Sequence, residues 1–282
     1  MAEKISDRIR KGINSSLKEA RQIKWVESLE ESVKFSVQPK RFLPFFVLDF
    51  VVLMIFFTLF SSGSMALALM PYMEGALPVG VLNMIAGGVA VFAAWVLLNI
   101  WITGSLVHQS WKPKEFRQSW KASLKRYPSL LMSLIIVFIV SFAASSVPVA
   151  GLVLSYIVSM MFLFVNQVIM IDGRGFYKSL KSSTLTFTRR PFSVFLCWLF
   201  SSLIAMLILA VFSVPMLMLY FYYAAEYGAE NALMYMMLYS DKILLYAGSA
   251  VLVLGFAVSK AYGVRFLTDI YMHLRKKKFL VL

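Results

Sequence analysis

An all-α integral membrane protein crossing the bilayer six times is the fold class this sequence predicts, on three observations. Of 282 residues, 60% are hydrophobic and 15% charged, against about 45–50% and about 25% in soluble domains. Six apolar runs, at about 43–61, 79–105, 129–147, 150–171, 192–223 and 243–265, each approach the roughly 20 residues a helix needs to cross hydrocarbon. The basic residues alternate from loop to loop. Ten Lys/Arg precede the first run, six separate the second from the third, five separate the fourth from the fifth, and four stand in Arg275–Lys278. The other loops hold only Lys242, beside Glu74, Glu226, Glu230 and Asp241. By the positive-inside rule both termini are cytoplasmic. The net charge of +14 is then a consequence of topology, and nucleic acid is not expected as a partner.

The elements follow in order. Residues 1–41 form a basic cytoplasmic segment in which Ile5, Ile9, Ile13 and Leu17 recur every four residues among Lys4, Arg8, Lys11 and Lys18. That spacing predicts a helix on an anionic membrane surface, or else a solvated basic tail. Residues 42–271 form the transmembrane domain and 272–282 a basic cytoplasmic tail. The turn Ser145–Gly151 makes the third and fourth spans a hairpin. Pro215 is expected to kink or end the fifth, with residues 216–240 continuing as an interfacial helix whose tyrosines sit at headgroup level.

One pattern occurs three times: Trp25–Val33, Phe116–Leu124 and Phe176–Thr184. Each copy has a large apolar residue, serine three on, an apolar residue four on and serine seven on. Positions i, i+4 and i+8 share a helical face, so each copy predicts a short amphipathic helix. Prolines follow at Pro39, Pro128 and Pro191, and then a hydrophobic run. The expected architecture is therefore three repeats of a cytoplasmic helix plus two spans, a pseudo-threefold bundle. The pairs Ser28/Ser32, Ser119/Ser123 and Ser179/Ser183 would serve close packing, or line a polar path or phosphate site.

Ionisable groups inside spans are costly and need a reason. Asp49, Asn99, Asn166, Gln167, Lys260 and Arg265 fall at a similar depth toward the cytoplasmic side, and form a candidate polar cluster. Asp49 paired with Lys260 or Arg265 would fix a helix contact; the competing reading is a transport or headgroup site. Gly87-Gly88 and Gly248-Ser249 suit tight helix packing. The lone Cys197 permits no intrachain disulfide. With only His108 and His273, far apart, no metal site is expected. No Gly-x-Ser-x-Gly, no phosphate-binding loop and no acid cluster near a histidine is present. Neither catalytic residues nor a cofactor are expected.

Val168-Ile-Met-Ile-Asp-Gly-Arg-Gly-Phe-Tyr-Lys-Ser-Leu-Lys-Ser-Ser183 resembles the membrane domain of glycerophosphodiester phosphodiesterases and its stand-alone bacterial and archaeal relatives. There, a span ends in an acid and a glycine before an amphipathic helix and a further span. The likeness extends to Thr103-Gly-Ser-Leu-Val107 and the six-span layout. It implies a prokaryotic plasma-membrane protein and no catalytic residues, because the phosphodiesterase barrel is absent. The function expected is a non-enzymatic membrane scaffold or accessory protein, engaging anionic lipid headgroups or, through residues 1–41, a protein. The alternative is a transporter or channel with its polar site in the inner half of the bundle.

Overall fold

The computed structural model describes residues 23–68 and 79–276. The segment carrying Ile5, Ile9, Ile13 and Leu17, and the end of the basic tail, lie outside the described residues. Every regular element among the described residues is helical: α1 Trp25–Ser36, α2 Pro39–Ala68, α3 Val79–Trp111, α4 Phe116–Ser145 and α5 Gly151–Met161, followed by α6 Val165–Asp172, α7 Phe176–Arg189, α8 Pro191–Tyr227, α9 Ala232–Tyr239 and α10 Lys242–Lys276. Six stretches are long and apolar enough to cross a membrane. They are Pro39–Leu59, Val81–Trp111, Phe116–Ser145, Gly151–Asp172, Pro191–Tyr227 and Lys242–Arg275. Most exceed the apolar runs that announce them. Hydropathy marks only the hydrocarbon-crossing centre, whereas the hydrogen-bond ladder continues into the polar ends.

The prolines divide into two kinds. Pro39 and Pro191 open α2 and α8, where the missing N–H would have had no helical partner. Pro128 lies inside α4, so Phe116–Leu124 is the start of a long helix and not a separate short one. Pro215 likewise lies inside α8, which runs on to Tyr227. Residues 216–227 therefore belong to the fifth long helix, and only Ala232–Tyr239 forms a separate element. A proline removes one ladder bond, a loss that membrane helices absorb where neighbours support them.

The fourth span is broken. Between α5 and α6 the chain makes a turn over residues 162–164. After α6, Gly173 adopts φ 71°, a left-handed cap that suits glycine because it carries no Cβ. It reverses the chain into α7.

Two compact units make up the chain. The first comprises residues 23–41, 101–208 and 259–276 of those described. Its core is Leu106, Leu130, Phe164, Val168, Ile169, Met170, Val194, Cys197, Tyr262, Phe266 and Ile270, all buried. Within it α4 packs against α5, α6 and α7, and α7 against α5 and α6. Trp25 of α1 meets Phe200 and Phe266 at ring-centroid distances of 5.5 and 6.4 Å.

The second unit comprises residues 42–68, 79–100 and 209–258. Small residues set its helix approaches. A Cβ at Gly255 would stand 2.4 Å from Phe212 Cβ, and one at Gly248 2.9 Å from Met216 Sδ. Tyr223, Tyr227, Tyr235 and Tyr239 stack in sequence across the α8–α9 turn, the tightest pair 4.1 Å apart and nearly parallel. Gly255→Leu is expected to cost about 1–3 kcal/mol by overpacking, because Phe212 Cβ sits on its own helix and cannot swing aside. A thermal unfolding curve in detergent identical to that of the wild type would refute this close approach.

Candidate functional site at the helix ends

The six repeat serines are the innermost residues of their segments. Ser28, Ser32, Ser119, Ser123, Ser179 and Ser183 are all at most 2% exposed. The large apolar positions of the same pattern are half-buried or exposed, Val33 and Leu124 among the latter. The buried face of each segment is thus the small polar one, since a serine lets two helices approach where a bulky residue would hold them apart.

Each serine is spent on structure. Ser123 Oγ donates to the Trp101 carbonyl at 2.7 Å, and Ser183 Oγ to the Met161 carbonyl at 2.7 Å, both across 22 residues of sequence. Ser183 also accepts from the Phe164 N–H. Ser119 meets Ser105 and Gln109, each at 2.9 Å. Ser179 donates to the Gly175 carbonyl, and Ser32 to the Ser28 carbonyl. Ser28 donates to Asp269 of α10. Three helical segments therefore dock through serine: Phe116–Arg126 on α3, α7 on α5 and α6, and α1 on α10.

Two arginines surround Phe35. The Arg41 guanidinium lies 4.7 Å from the ring centroid and that of Arg265 5.6 Å. Arg41, 8% exposed, donates to Gln109 Oε1 and the Pro113 carbonyl. Arg265 donates to the Ser110 carbonyl and to Glu31, the latter at 2.9 Å. A second centre lies at Asp172, whose side chain is 11% exposed. It accepts from the Tyr271 hydroxyl at 2.7 Å and lies 3.2 Å from Arg275 Nε. Arg126 caps the same helix by donating to the carbonyls of Ile169 and Met170. A cation at a helix C-terminus offsets the negative end of the helix dipole.

Of the sequence-predicted cluster, Arg265 lies at the Phe35 centre. Asp49 accepts from Trp95 Nε1 at 2.7 Å. Arg265 takes Glu31 and a backbone carbonyl as partners. Gln167 is buried with Oε1 unbonded, Asn99 Nδ2 is buried and unbonded, and Asn166 is exposed. Lys260 is half-buried in α10. Arg41, Gln109, Arg126, Asp172 and Tyr271 carry much of the polar bonding and were not singled out as site residues. Asp172 alone had a signal, the acid-glycine pair ahead of the third repeat.

On α1, Lys24 pairs with Glu27 and Lys34 with Glu30. The hydrogen bond and charge of Lys34 hold the Glu30 carboxyl below the usual carboxylate range. Both pairs are exposed, where such contacts contribute little. Among the described residues no three His, Cys, Asp or Glu side chains come together as a metal site would require.

No protein-family model matches the chain, and no curated protein or solved structure matches it either.

Proposed function

We propose that this chain is a non-enzymatic scaffold or accessory protein of a prokaryotic plasma membrane. In this reading both termini are cytoplasmic, and three repeats of a surface helix and two spans form a pseudo-threefold bundle. The observation that supports it most is the expenditure of the repeat serines. All six are buried and hydrogen-bonded within the fold, so the repeated motif serves docking and leaves no hydroxyl array around a substrate. Within the first unit Phe116–Arg126 docks on α3, α7 on α5 and α6, and α1 on α10, which supports a shared role for the three segments. Anionic headgroups and a protein partner at residues 1–41 are the partners proposed. The resemblance to phosphodiesterase membrane domains carries over no catalytic residues to this chain.

A transporter is the second reading, favoured by the unbonded amides of Asn99 and Gln167. One pair of measurements separates the two. Cys197 is buried, so single cysteines placed at Lys178 and Asp241 report topology against a quiet background. An impermeant maleimide on intact cells should label position 241 and spare 178; labelling at 178 would overturn the orientation. In proteoliposomes the protein should add no small-solute flux. Flux abolished by Asp49→Asn would replace the scaffold with a carrier.

A further inference from the structure

The exposed face of α7 carries a groove of about 440 Å³ lined by Arg174, Lys178, Lys181, Ser182 and Leu185. Three of these five residues are cations and none is an acid. One of the three cations already faces a carboxylate: Arg174 Nε pairs with Asp172 at 3.7 Å, and Tyr271 and Arg275 hold the same carboxylate more closely, at 2.7 and 3.2 Å. Lys178 and Lys181 have no carboxylate partner among the described residues. Both are exposed on the surface of the helix. Ser182 is 4% exposed; its Oγ accepts from Arg174 at 3.4 Å, and its own proton has no acceptor among the described residues. A buried hydroxyl with a proton to give, beside three converging cations, suits the oxygens of a phosphate.

Placement identifies the source of that phosphate. Helix α7 fills the short connection between two candidate spans, Gly151–Asp172 and Pro191–Tyr227, and so lies at the level where a membrane-crossing chain meets headgroups. Leu185 supplies an apolar wall to the groove. Tyr177, 69% exposed one residue before Lys178, is of the type that settles at the membrane interface. The exposed surface of α4 also carries cations, Arg117, Lys121 and Lys125, at the positions that match Tyr177, Lys181 and Leu185 of α7.

We propose that Arg174, Lys178, Lys181 and Ser182 form a binding site for the phosphate of an anionic phospholipid, with Leu185 and Tyr177 against its glycerol and acyl start. This deepens the scaffold reading above by fixing where the membrane lipid is held, and rests on it only for the choice of leaflet. The test needs no orientation. Full-length protein in neutral detergent is titrated with phosphatidylglycerol, phosphatidylcholine or inorganic phosphate, and bound lipid is counted by native mass spectrometry.

Phosphatidylglycerol should bind in preference to phosphatidylcholine. The triple variant R174Q/K178Q/K181Q should weaken it by about fivefold per charge removed, and a control R117Q/K121Q/K125Q should leave it unchanged. Equal loss in the control would reduce the effect to diffuse surface charge and overturn the site. So would full binding by the triple variant. Inorganic phosphate competing at the same concentration would overturn the lipid as occupant and leave a free-phosphate site. Because the three side chains are exposed, the variant should elute and melt as the wild type does. Should it not, K181Q alone gives the same reading at about fivefold. Failure here would leave the cysteine-labelling result standing, so the two proposals fail separately.

Discussion

Gly104→Val is expected to undock the first half of α4 from α3 and so to destabilise the first unit. A Cβ at position 104 would stand 2.5 Å from Ser123 Oγ and 2.7 Å from Leu130 Cδ1. Neither neighbour can withdraw freely. Ser123 is held by its bond to the Trp101 carbonyl, three residues before the glycine on the same helix. Leu130 is 2% exposed and packed in the core. The substitution thus forces a choice between breaking the serine bond and opening the helix pair. Overpacking costs about 1–3 kcal/mol, and the lost hydrogen bond adds about 1 kcal/mol. Thermal unfolding in detergent measures the sum, and Gly104→Ala should fall between the wild type and valine. If valine melts with the wild type, Ser123 is not seated as described.

How far the chain could be read beforehand differs by element. The six spans were legible because hydrocarbon thickness imposes a length on apolar runs that composition shows directly. The serine pairs were legible as a pattern, since a period of four places Ser119 with Ser123 and Ser179 with Ser183 on one face. That the serine face is the packed one followed from the rule that small residues sit at membrane-helix contacts, and all six serines are buried. Amphipathic reasoning favours burying Trp120, Leu124 and Phe176, yet in a lipid-facing helix large apolar residues are already well solvated and the small residues take the contact. Pro128 and Pro215 misled for a related reason: breaker rules come from helices in water, where a lost ladder bond is easily replaced by solvent. Asp172, Tyr271 and Arg275 were invisible as a group. Ninety-nine residues separate Asp172 from Tyr271, and no local spacing announces a contact that only tertiary packing creates. The Trp95 indole N–H that donates to Asp49 lay outside a search confined to lysines and arginines.

Ser183→Val tests the deepest asymmetry between otherwise matched docking sites. Ser123 and Ser183 stand 22 residues beyond the carbonyls they bond, but the backbones beneath them differ. Under Ser123, α3 is continuous, so the Trp101 carbonyl keeps its place in the helical ladder and the serine adds a second bond. Under Ser183 the chain is broken. Leu163 N–H turns to Met160 and Val165 N–H to Phe162, which leaves the Met161 carbonyl and the Phe164 N–H without ladder partners. Ser183 takes both. Valine there strands a donor and an acceptor beside Phe164, a fully buried residue, at about 1–3 kcal/mol for each. Ser123→Val removes one supernumerary bond and should cost about 1 kcal/mol apart from any steric term shared by both substitutions. The expected result is therefore a clearly larger fall in melting temperature for Ser183→Val. Amide exchange should also accelerate across residues 161–168, with no counterpart across 101–108 in the Ser123 variant. Equal losses at the two sites would mean that the turn in the fourth span finds other partners, and that Ser183 is a spacer like Ser123 and not the residue that closes the break.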